Sequence, residues 1–245
     1  GSPRMSLPVF GFVSLHQEPL ADGIVAEAQW AALVAERGRA QAHLWRGRPG
    51  LVVPASYRRL PRFDEACAQA AAAGRPVQVR ASGGGLVPQG PGLLNLSLLW
   101  RADRAQPSHT DAVYQALCEQ LAAALARLGI TAAAQPVQGS FCDGRHNLAV
   151  GGRKLVGTAQ AWRRIAGVPV VLAHAVLIVD ADARALCGIA NAFEAAAGSA
   201  RRYEEAALTS VADVLGRQLN AAALGARLQQ LLGEQFARLD LPAAA

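Results

Sequence analysis

Lys154 is the one lysine in a chain of 245 residues whose other 23 Lys/Arg positions are all arginine. It follows Gly151-Gly152, with strand-like runs at 147–150 before the glycines and 155–159 after them. Two such runs around a Gly-Gly pair read as a β-hairpin with Lys154 close to the turn. A lone lysine on a hairpin reads first as a solvated charge. Its chemical interest is that an ammonium, unlike a guanidinium, is compact, flexible and able to yield its proton when buried. Cys142 stands earlier in a polar, glycine-rich stretch. Such a thiol is either a small buried hydrophobe or a nucleophile for covalent catalysis. A second feature is Gly83-Gly84-Gly85. Three glycines in a row are entropically expensive and suit a backbone that approaches a ligand and offers its own N–H groups. No GK[ST] follows them, so this is not a Walker A loop, and no Rossmann fingerprint is present.

The composition narrows the classes of function. Apolar residues make up 52% and charged residues 17%, which argues against global disorder. The most apolar stretch, 168–179, is interrupted by Pro169 and His174 and is too short to cross a bilayer, so no membrane role is expected. No secretory signal pattern is seen, and Gly1-Ser2-Pro3 ahead of Met5 reads as a cloning remnant. Cytoplasm is the default location. The cysteines Cys67, Cys118, Cys142 and Cys187 lack CxxC spacing, so neither a metal site nor a disulfide framework is expected. The net charge of +6 favours acidic partners by steering. Its basic groups come only in pairs and aromatics are sparse, so no nucleic-acid partner is expected.

The elements that must hold these residues alternate between helix and strand. A strand is expected over 8–16 and a helix over 22–36, with Ile24, Ala28, Ala31 or Ala32, and Ala35 on one side and Gly38 as its stop. Strands follow at 43–46, 51–53 and 77–80, with a helix at 63–73 ended by Gly74. The strand 92–100 carries Asn95 and Ser97 on one face. A helix from Thr110 or Asp111 runs to about Leu128. After the hairpin come strands at 168–171 and 175–179 with His174 between them. Helices close the chain at 183–197, 209–215 and 219–239. This order implies one α+β domain over 1–245, with a mixed or antiparallel central sheet flanked by helices and a helical C-terminal extension from about 216. His146 and His174 read more readily as structural than as proton shuttles.

Two blocks resemble the lipoate/biotin protein ligase superfamily. Val79-Arg80-Ala81-Ser82-Gly83-Gly84-Gly85-Leu86-Val87 resembles its RRxSGGGxV loop, with valine in place of the first arginine. Gly144-Arg145-His146-Asn147-Leu148, followed by Gly152-Arg153-Lys154-Leu155-Val156-Gly157-Thr158-Ala159-Gln160, resembles its GRNDL and GxKxxGxAQ segment. Within the superfamily, Gly139-Ser140-Phe141-Cys142-Asp143-Gly144 and Gly92-Leu93-Leu94-Asn95-Leu96-Ser97-Leu98 are similar to the octanoyl/lipoyl amidotransferase patterns GSYCxG and GVLNxSL. The resemblance implies a biotin/lipoate protein ligase catalytic-domain fold. It places Cys142 on the acyl-accepting cysteine and Lys154 on the superfamily lysine. Arg80, Ser82, Gly83, Gly84, Gly85, Asn95, Gly157, Thr158 and Ala159 fall on the substrate-binding positions.

What the resemblance implies for function is transfer of an octanoyl or lipoyl group without ATP or other cofactor. The donor would be an acylated H protein or acyl carrier protein, and the acceptor a lysine of a lipoyl domain of a 2-oxoacid dehydrogenase. The Cys142 thiolate would carry the acyl group as a thioester, Lys154 would polarise its carbonyl, and Leu86 and Val156 would line the alkyl slot. Gln89-Gly90 replaces the histidine-aspartate pair common in ATP-dependent ligases, and Arg163-Arg164 lies two residues later than the amidotransferase QRR. An ATP- and Mg-dependent lipoate ligase and a catalytically silent acyl-protein-binding module remain as alternatives.

Overall fold

The two longest strands lie side by side, joined by a two-residue turn. In a computed structural model, which describes residues 7–8, 10–11, 13–102, 110–142, 145–216 and 220–237, β9 (Arg153–Ile165) pairs antiparallel with β10 (Val168–Ile178) along its length. Here β1–β8 are Ser14–Leu15, Gln41–Trp45, Gly50–Pro54, Val77–Arg80, Val87–Gln89, Leu93–Arg101, Ala133–Ala134 and Leu148–Val150. The helices α1–α6 are Gly23–Arg37, Phe63–Ala72, Thr110–Ala126, Ala183–Ala197, Val211–Val214 and Ala221–Phe236. Seven strands form one sheet in the order β1-β2-β6-β10-β9-β8-β7, antiparallel except for the β1–β2 pair. A smaller sheet, β4-β3-β5, was not foreseen. The expected α+β class, with a mixed central sheet flanked by helices, is what the chain adopts.

The β9–β10 turn puts Ala166 at φ +48° and Gly167 at φ +80°. Two left-handed residues in a two-residue loop match the right-handed twist of the strands they join. Alanine bears a Cβ penalty of about 1 kcal/mol there that glycine does not, and Ala166 is exposed. Ala166→Gly is therefore expected to raise the melting temperature by about 2–4 °C. Thermal unfolding followed by circular dichroism checks this; an unchanged or lower midpoint contradicts it.

Pleating gives the large sheet two different faces. On one, Leu94, Leu96, Leu98, Ala173, Ala175 and Leu177 join Val113, Leu117 and Leu121 of α3 and Leu224, Leu228 and Leu232 of α6 in a single apolar core. The other face carries Asn95 and Ser97 of β6 beside Val176 and His174 of β10, which in turn pair with Gly157 and Ala159 of β9. Helix α1 lies over this second face, where Ala31, Val34 and Ala35 pack on Leu99, Val170 and Leu172. The Asp22 carboxylate caps α1 by accepting from the Val25 N–H at 3.0 Å, and Gly38 ends it in a left-handed turn.

Several expectations need correcting. Ala28 and Ala32 are exposed. The buried stripe of α1 is Glu27, Ala31, Val34 and Ala35, the usual spacing of one helix face. An acid within that stripe concealed it. β1 is short; residues 9 and 12 of its expected span lie outside the described ones. His174 does not divide two strands but lies inside β10, because its ring has polar partners across the sheet face. β9 runs on to Ile165 rather than stopping at 159, since its far half is paired by β10. β5 escaped notice because Pro88 sits at its centre. Proline has no N–H for a ladder and is tolerated on an edge strand, as β5 is here. Among the described residues no helix is long and apolar enough to cross a membrane.

Candidate functional site

Lys154 is where the hairpin reading is refined. β8 and β9 do form a hairpin across Gly151-Gly152, but a register shift between Leu148 and Ala149 leaves one extra residue on β9. A bulge of this kind re-aims the side chains next to it. Lys154 consequently turns inward and is 5% exposed, not a solvated charge. Its Nζ donates to the Phe141 carbonyl and, at 3.3 Å, to the Cys142 carbonyl. Gly157 makes room for it: a Cβ there would lie 3.0 Å from both Cε and Nζ of Lys154. Gly157→Ala is therefore expected to displace the ammonium and lower any turnover that depends on it by roughly tenfold or more, with little change in melting temperature. Steady-state rates beside thermal unfolding measure this; unaltered rates would show that the close approach is unimportant.

Cys142 occupies a strained position, with φ +48°. It is anchored on both sides, since its carbonyl accepts from Lys154 Nζ and from Asn147 Nδ2, the latter at 2.8 Å. Its Sγ accepts the backbone N–H of Gly85 at 3.2 Å. The triple-glycine segment thus meets the thiol. A Cβ on Gly84 or Gly85 would lie 3.6 Å from Sγ, and Gly84 has φ +109°. Arg80 closes the loop by donating to the carbonyls of Gly83 (3.0 Å), Gly85 (2.7 Å) and Val52 (3.4 Å). Burial lowers the Arg80 pKa, opposed by the neighbouring Cys142 and Tyr57. The other cysteines are in different surroundings. Burial pushes the thiols of Cys118 and Cys187 up to about 11, and that of Cys67 up as well.

Beneath Phe141 lies a carboxylate with two phenols. Phe141 packs on Tyr203 with ring centroids 4.7 Å apart, and the Tyr203 hydroxyl donates to Glu194 Oε1 at 2.8 Å. Tyr57 donates to the same oxygen. Burial, and then the bond to Glu194, push the Tyr57 phenol up to about 12. The carbonyl that receives Lys154 is thus carried on a residue held from below.

A cavity of about 560 Å³ opens beside the cysteine and lysine. Arg80, Ser82, Gly83, Gly84, Cys142, Lys154, Gly157, Thr158 and Ala159 all line it. Gly85 joins the group through its bond to Sγ. Asn95 does not reach the cavity surface. It is fully buried, and its amide is spent on Gln89, on the Trp45 carbonyl and on His174. Leu86 and Val156 are also buried away from the cavity, in two different core clusters. The apolar walls are instead built by Val52, Val87, Leu93, Val176 and Ile178, among others. Asp143 and Gly144 of the second motif lie outside the described residues. A second recess of about 350 Å³ adjoins the other side of Cys142, bordered by Arg145, Arg201, Tyr114 and His146. His146 stacks on Tyr114 at 4.4 Å and meets Asp111 at 3.3 Å. Among the described residues no group of three or more His, Cys, Asp or Glu is placed to hold a metal.

The sequence reading missed a polar cluster on the cavity wall. Trp45 Nε1–H donates to Ser97 Oγ at 2.8 Å, and Ser97 then donates to Glu27 Oε2 at 2.8 Å. His174 Nδ1 meets the same oxygen at 2.7 Å, and its Nε2 meets Asn95 Oδ1 at 2.9 Å. Because Asn95 Nδ2 faces the Trp45 carbonyl, Oδ1 must be the atom turned to His174. Both ring nitrogens therefore face carboxylate or amide oxygens. Burial raises the Glu27 carboxyl, but His174, Ser97 and Arg163 outweigh it and hold the pKa below the ordinary glutamate value. The sequence signal was a single acid among Ile24, Ala31 and Val34 on α1.

Residues 31–233 match the model of the lipoyl protein ligase A/B catalytic domain. The chain is 44% identical over 226 residues to an uncharacterised protein of Cupriavidus necator, covering 86% of this chain and 89% of that one. It is 45% identical over 116 residues to the octanoyl-GcvH:protein N-octanoyltransferase of Kyrpidia tusciae, covering 44% of this chain and 39% of that enzyme. The enzyme of the same name from Geobacillus kaustophilus is 33% identical over 159 residues, covering 62% of this chain and 54% of its own length. The matches thus span about two-fifths to half of those two enzymes. Among solved structures, lipoate-protein ligase A bound with ATP superposes with a TM-score of 0.65 at 17% identity, over 92% of this chain and 85% of that one. A bipartite lipoate protein ligase of Thermoplasma acidophilum gives 0.62 at 16% identity, over 93% and 84%. At these identities the likeness is one of fold.

Proposed function

We propose that this chain, which belongs to the lipoyl protein ligase A/B catalytic-domain family, moves an octanoyl or lipoyl group from a lysine amide of an H protein to a lysine of a lipoyl domain by way of Cys142. The observation that carries the reading is the Cys142 Sγ on the cavity wall, with the Gly85 N–H at 3.2 Å and the Lys154 ammonium on the adjoining carbonyls. An amide is a poor acyl donor, so it needs a strong nucleophile and a group that stabilises the developing oxyanion. Names of the relatives from Kyrpidia tusciae and Geobacillus kaustophilus, which specify an octanoyl-GcvH donor, support the donor class.

Sγ, as thiolate, adds to the acyl carbonyl, and the C–N bond to the donor lysine breaks. Lys154 gives the departing amine its proton, leaving a thioester and a neutral Lys154. The acceptor amine then adds to the thioester carbonyl, the C–S bond breaks, and Lys154 recovers a proton from the attacking nitrogen. Arg80 and residues 82–85 hold the loop against the reacting carbon, while the valine- and leucine-lined cavity takes the alkyl chain. No nucleotide enters this sequence. Gln89, at a position where ATP-dependent ligases carry histidine, spends its amide on Asn95.

Intact-mass measurement after incubation with octanoylated H protein, without ATP, tests the reading. One octanoyl increment on Cys142 that passes to added apo lipoyl domain is the expected result. An octanoylated acyl carrier protein run in parallel identifies the donor. Modification of the lipoyl domain only with free octanoate, ATP and magnesium would replace this reading by that of a ligase.

A further inference from the structure

Two arginines that flank Cys142 are joined beneath it. Arg80, on the cavity side, neighbours both the sulfur and Tyr57. Tyr57 and Tyr203 donate to one oxygen of Glu194, which is fully buried on α4. The Tyr203 hydroxyl in turn accepts from Arg201, whose side chain borders the recess on the other side of Cys142. Tyr203 is itself clamped: its N–H donates to Asn191 Oδ1 at 2.7 Å, and its carbonyl accepts from Asn191 Nδ2 at 2.9 Å. One residue on, the Glu204 N–H donates to the Gly139 carbonyl at 2.9 Å, which ties this segment to the loop that carries Cys142. An exposed arginine ordinarily samples many rotamers. Arg201 is exposed and pairs with no carboxylate among the described residues, yet it is held by this chain of contacts.

Gly85 shows how close the guanidinium comes to the sulfur. A Cβ on Gly85 would lie 3.0 Å from Arg201 Nη1 and 3.6 Å from Cys142 Sγ, so the two are at most about 7 Å apart. A carbonyl bonded to the sulfur and accepting from the guanidinium spans about 5–6 Å. Lys154 lies on the cavity side of the sulfur and Arg201 on the recess side. A tetrahedral carbon on Sγ has three further directions to fill. The apolar cavity takes its alkyl chain, and in the proposed reaction Lys154 faces the amine nitrogen. The oxygen is left pointing to the recess.

We infer that Arg201 is a further catalytic residue of the acyl transfer, donating to the oxyanion from the recess, and that Tyr203 and Glu194 are its positioning residues. This rests on the acyl-transfer reading above and assigns a charge-stabilising group within it, on the side opposite Lys154. When Sγ adds to the amide, the C–S bond forms and the carbonyl π pair moves onto oxygen, where the guanidinium meets it. The pair returns as the C–N bond breaks and the departing nitrogen takes its proton from Lys154. In the second half-reaction the acceptor amine adds, the pair again moves onto oxygen, and its return breaks the C–S bond. Arg201 keeps its own protons throughout, as a guanidinium does. A preorganised cation at a forming oxyanion needs no reorganisation at the moment of reaction, and the clamp on Tyr203 supplies that preorganisation.

Steady-state transfer from octanoylated H protein to apo lipoyl domain, with the full chain, tests it. Arg201→Ala is expected to lower kcat about 10²-fold with KM for either carrier within about threefold, the mark of an interaction made in the transition state. Ethylguanidinium matches the deleted atoms and can enter at an exposed position. It is expected to restore about tenfold of the loss, and ethylammonium little of it. Tyr203→Phe keeps the guanidinium but frees it, and is expected to lower kcat about tenfold with no relief from ethylguanidinium. Wild-type rates in Arg201→Ala, a loss confined to KM, or a loss that ethylguanidinium leaves untouched would each overturn the inference while the transferase reading stands. A wild-type enzyme that forms no octanoyl thioester on Cys142 and transfers nothing without ATP would sink that reading, and the inference with it.

Discussion

A Cys142→Ser enzyme is expected to fold, to bind its acylated donor, and to lose acyl transfer by about 10³-fold or more. A serine hydroxyl is a weak nucleophile unless a base takes its proton. Among the described residues, the polar groups that meet Cys142 Sγ, the Gly85 N–H and the Arg80 guanidinium, are both donors. The hydroxyl would accept from them as the thiol does, so the loop closes and the site stays intact, yet nothing in contact removes its proton. Histidine does not substitute: His174 has both nitrogens committed to Glu27 and Asn95, and His146 is stacked on Tyr114. Cys142→Ala removes the acceptor altogether and should be equally inactive. The backbone strain at φ +48° is common to all three residues, so melting temperatures should stay close. Single-turnover transfer from octanoylated H protein, read by mass, measures the effect. Transfer within tenfold of wild type by the serine or alanine enzyme would mean that no thioester lies on the path.

How much of this was legible beforehand differs between elements. The stop of α1 was legible because it is local: Gly38 acts within a few residues, whereas Asp22, counted as the first helical residue, proves to be the cap before it. The hairpin at Gly151-Gly152 was legible for the same reason. What it concealed was the bulge, since an extra residue on one strand is defined by the partner strand's register. That one residue converts Lys154 from a surface charge into a buried one. The close approach of Gly85 to Cys142 joins segments 57 residues apart; the motif resemblance put both in one site, and the contact itself is given by the fold. Glu27 was lost because an acid on a helix is ordinarily counted as solvent-facing. Its place on the buried stripe is set by His174, 147 residues away in sequence. Leu86 and Val156 were assigned to the alkyl slot by nearness in sequence to the motifs, but strand alternation turns Val156 into the α3 side of the sheet.

Replacing Lys154 by methionine is the second change with a large expected effect, a fall in kcat of about 10²–10³-fold. Methionine keeps much of the apolar stem that passes Gly157 but has no proton to give a departing amine and no charge to draw an oxyanion. The effect should fall on both half-reactions, because in the proposed reaction the same nitrogen gives a proton in the first and recovers one in the second. Acylation of Cys142 in a single turnover and release of the thioester to apo lipoyl domain should therefore both slow, in contrast to Cys142→Ser, where no thioester forms. Lys154→Arg is not expected to rescue. The ammonium fits where a Gly157 Cβ would lie 3.0 Å away, and a planar guanidinium is wider and holds its proton more firmly. The buried carbonyls of Phe141 and Cys142 lose a donor in the methionine enzyme, which costs about 1–3 kcal/mol. A melting curve must accompany the rates so that a loss of fold is not mistaken for a loss of chemistry. If folded Lys154→Met forms the thioester at the wild-type rate and slows only its release, the lysine acts on the acceptor amine alone. Unchanged rates in both steps would remove Lys154 from the chemistry and leave it as a buried tether for the loop that carries Cys142.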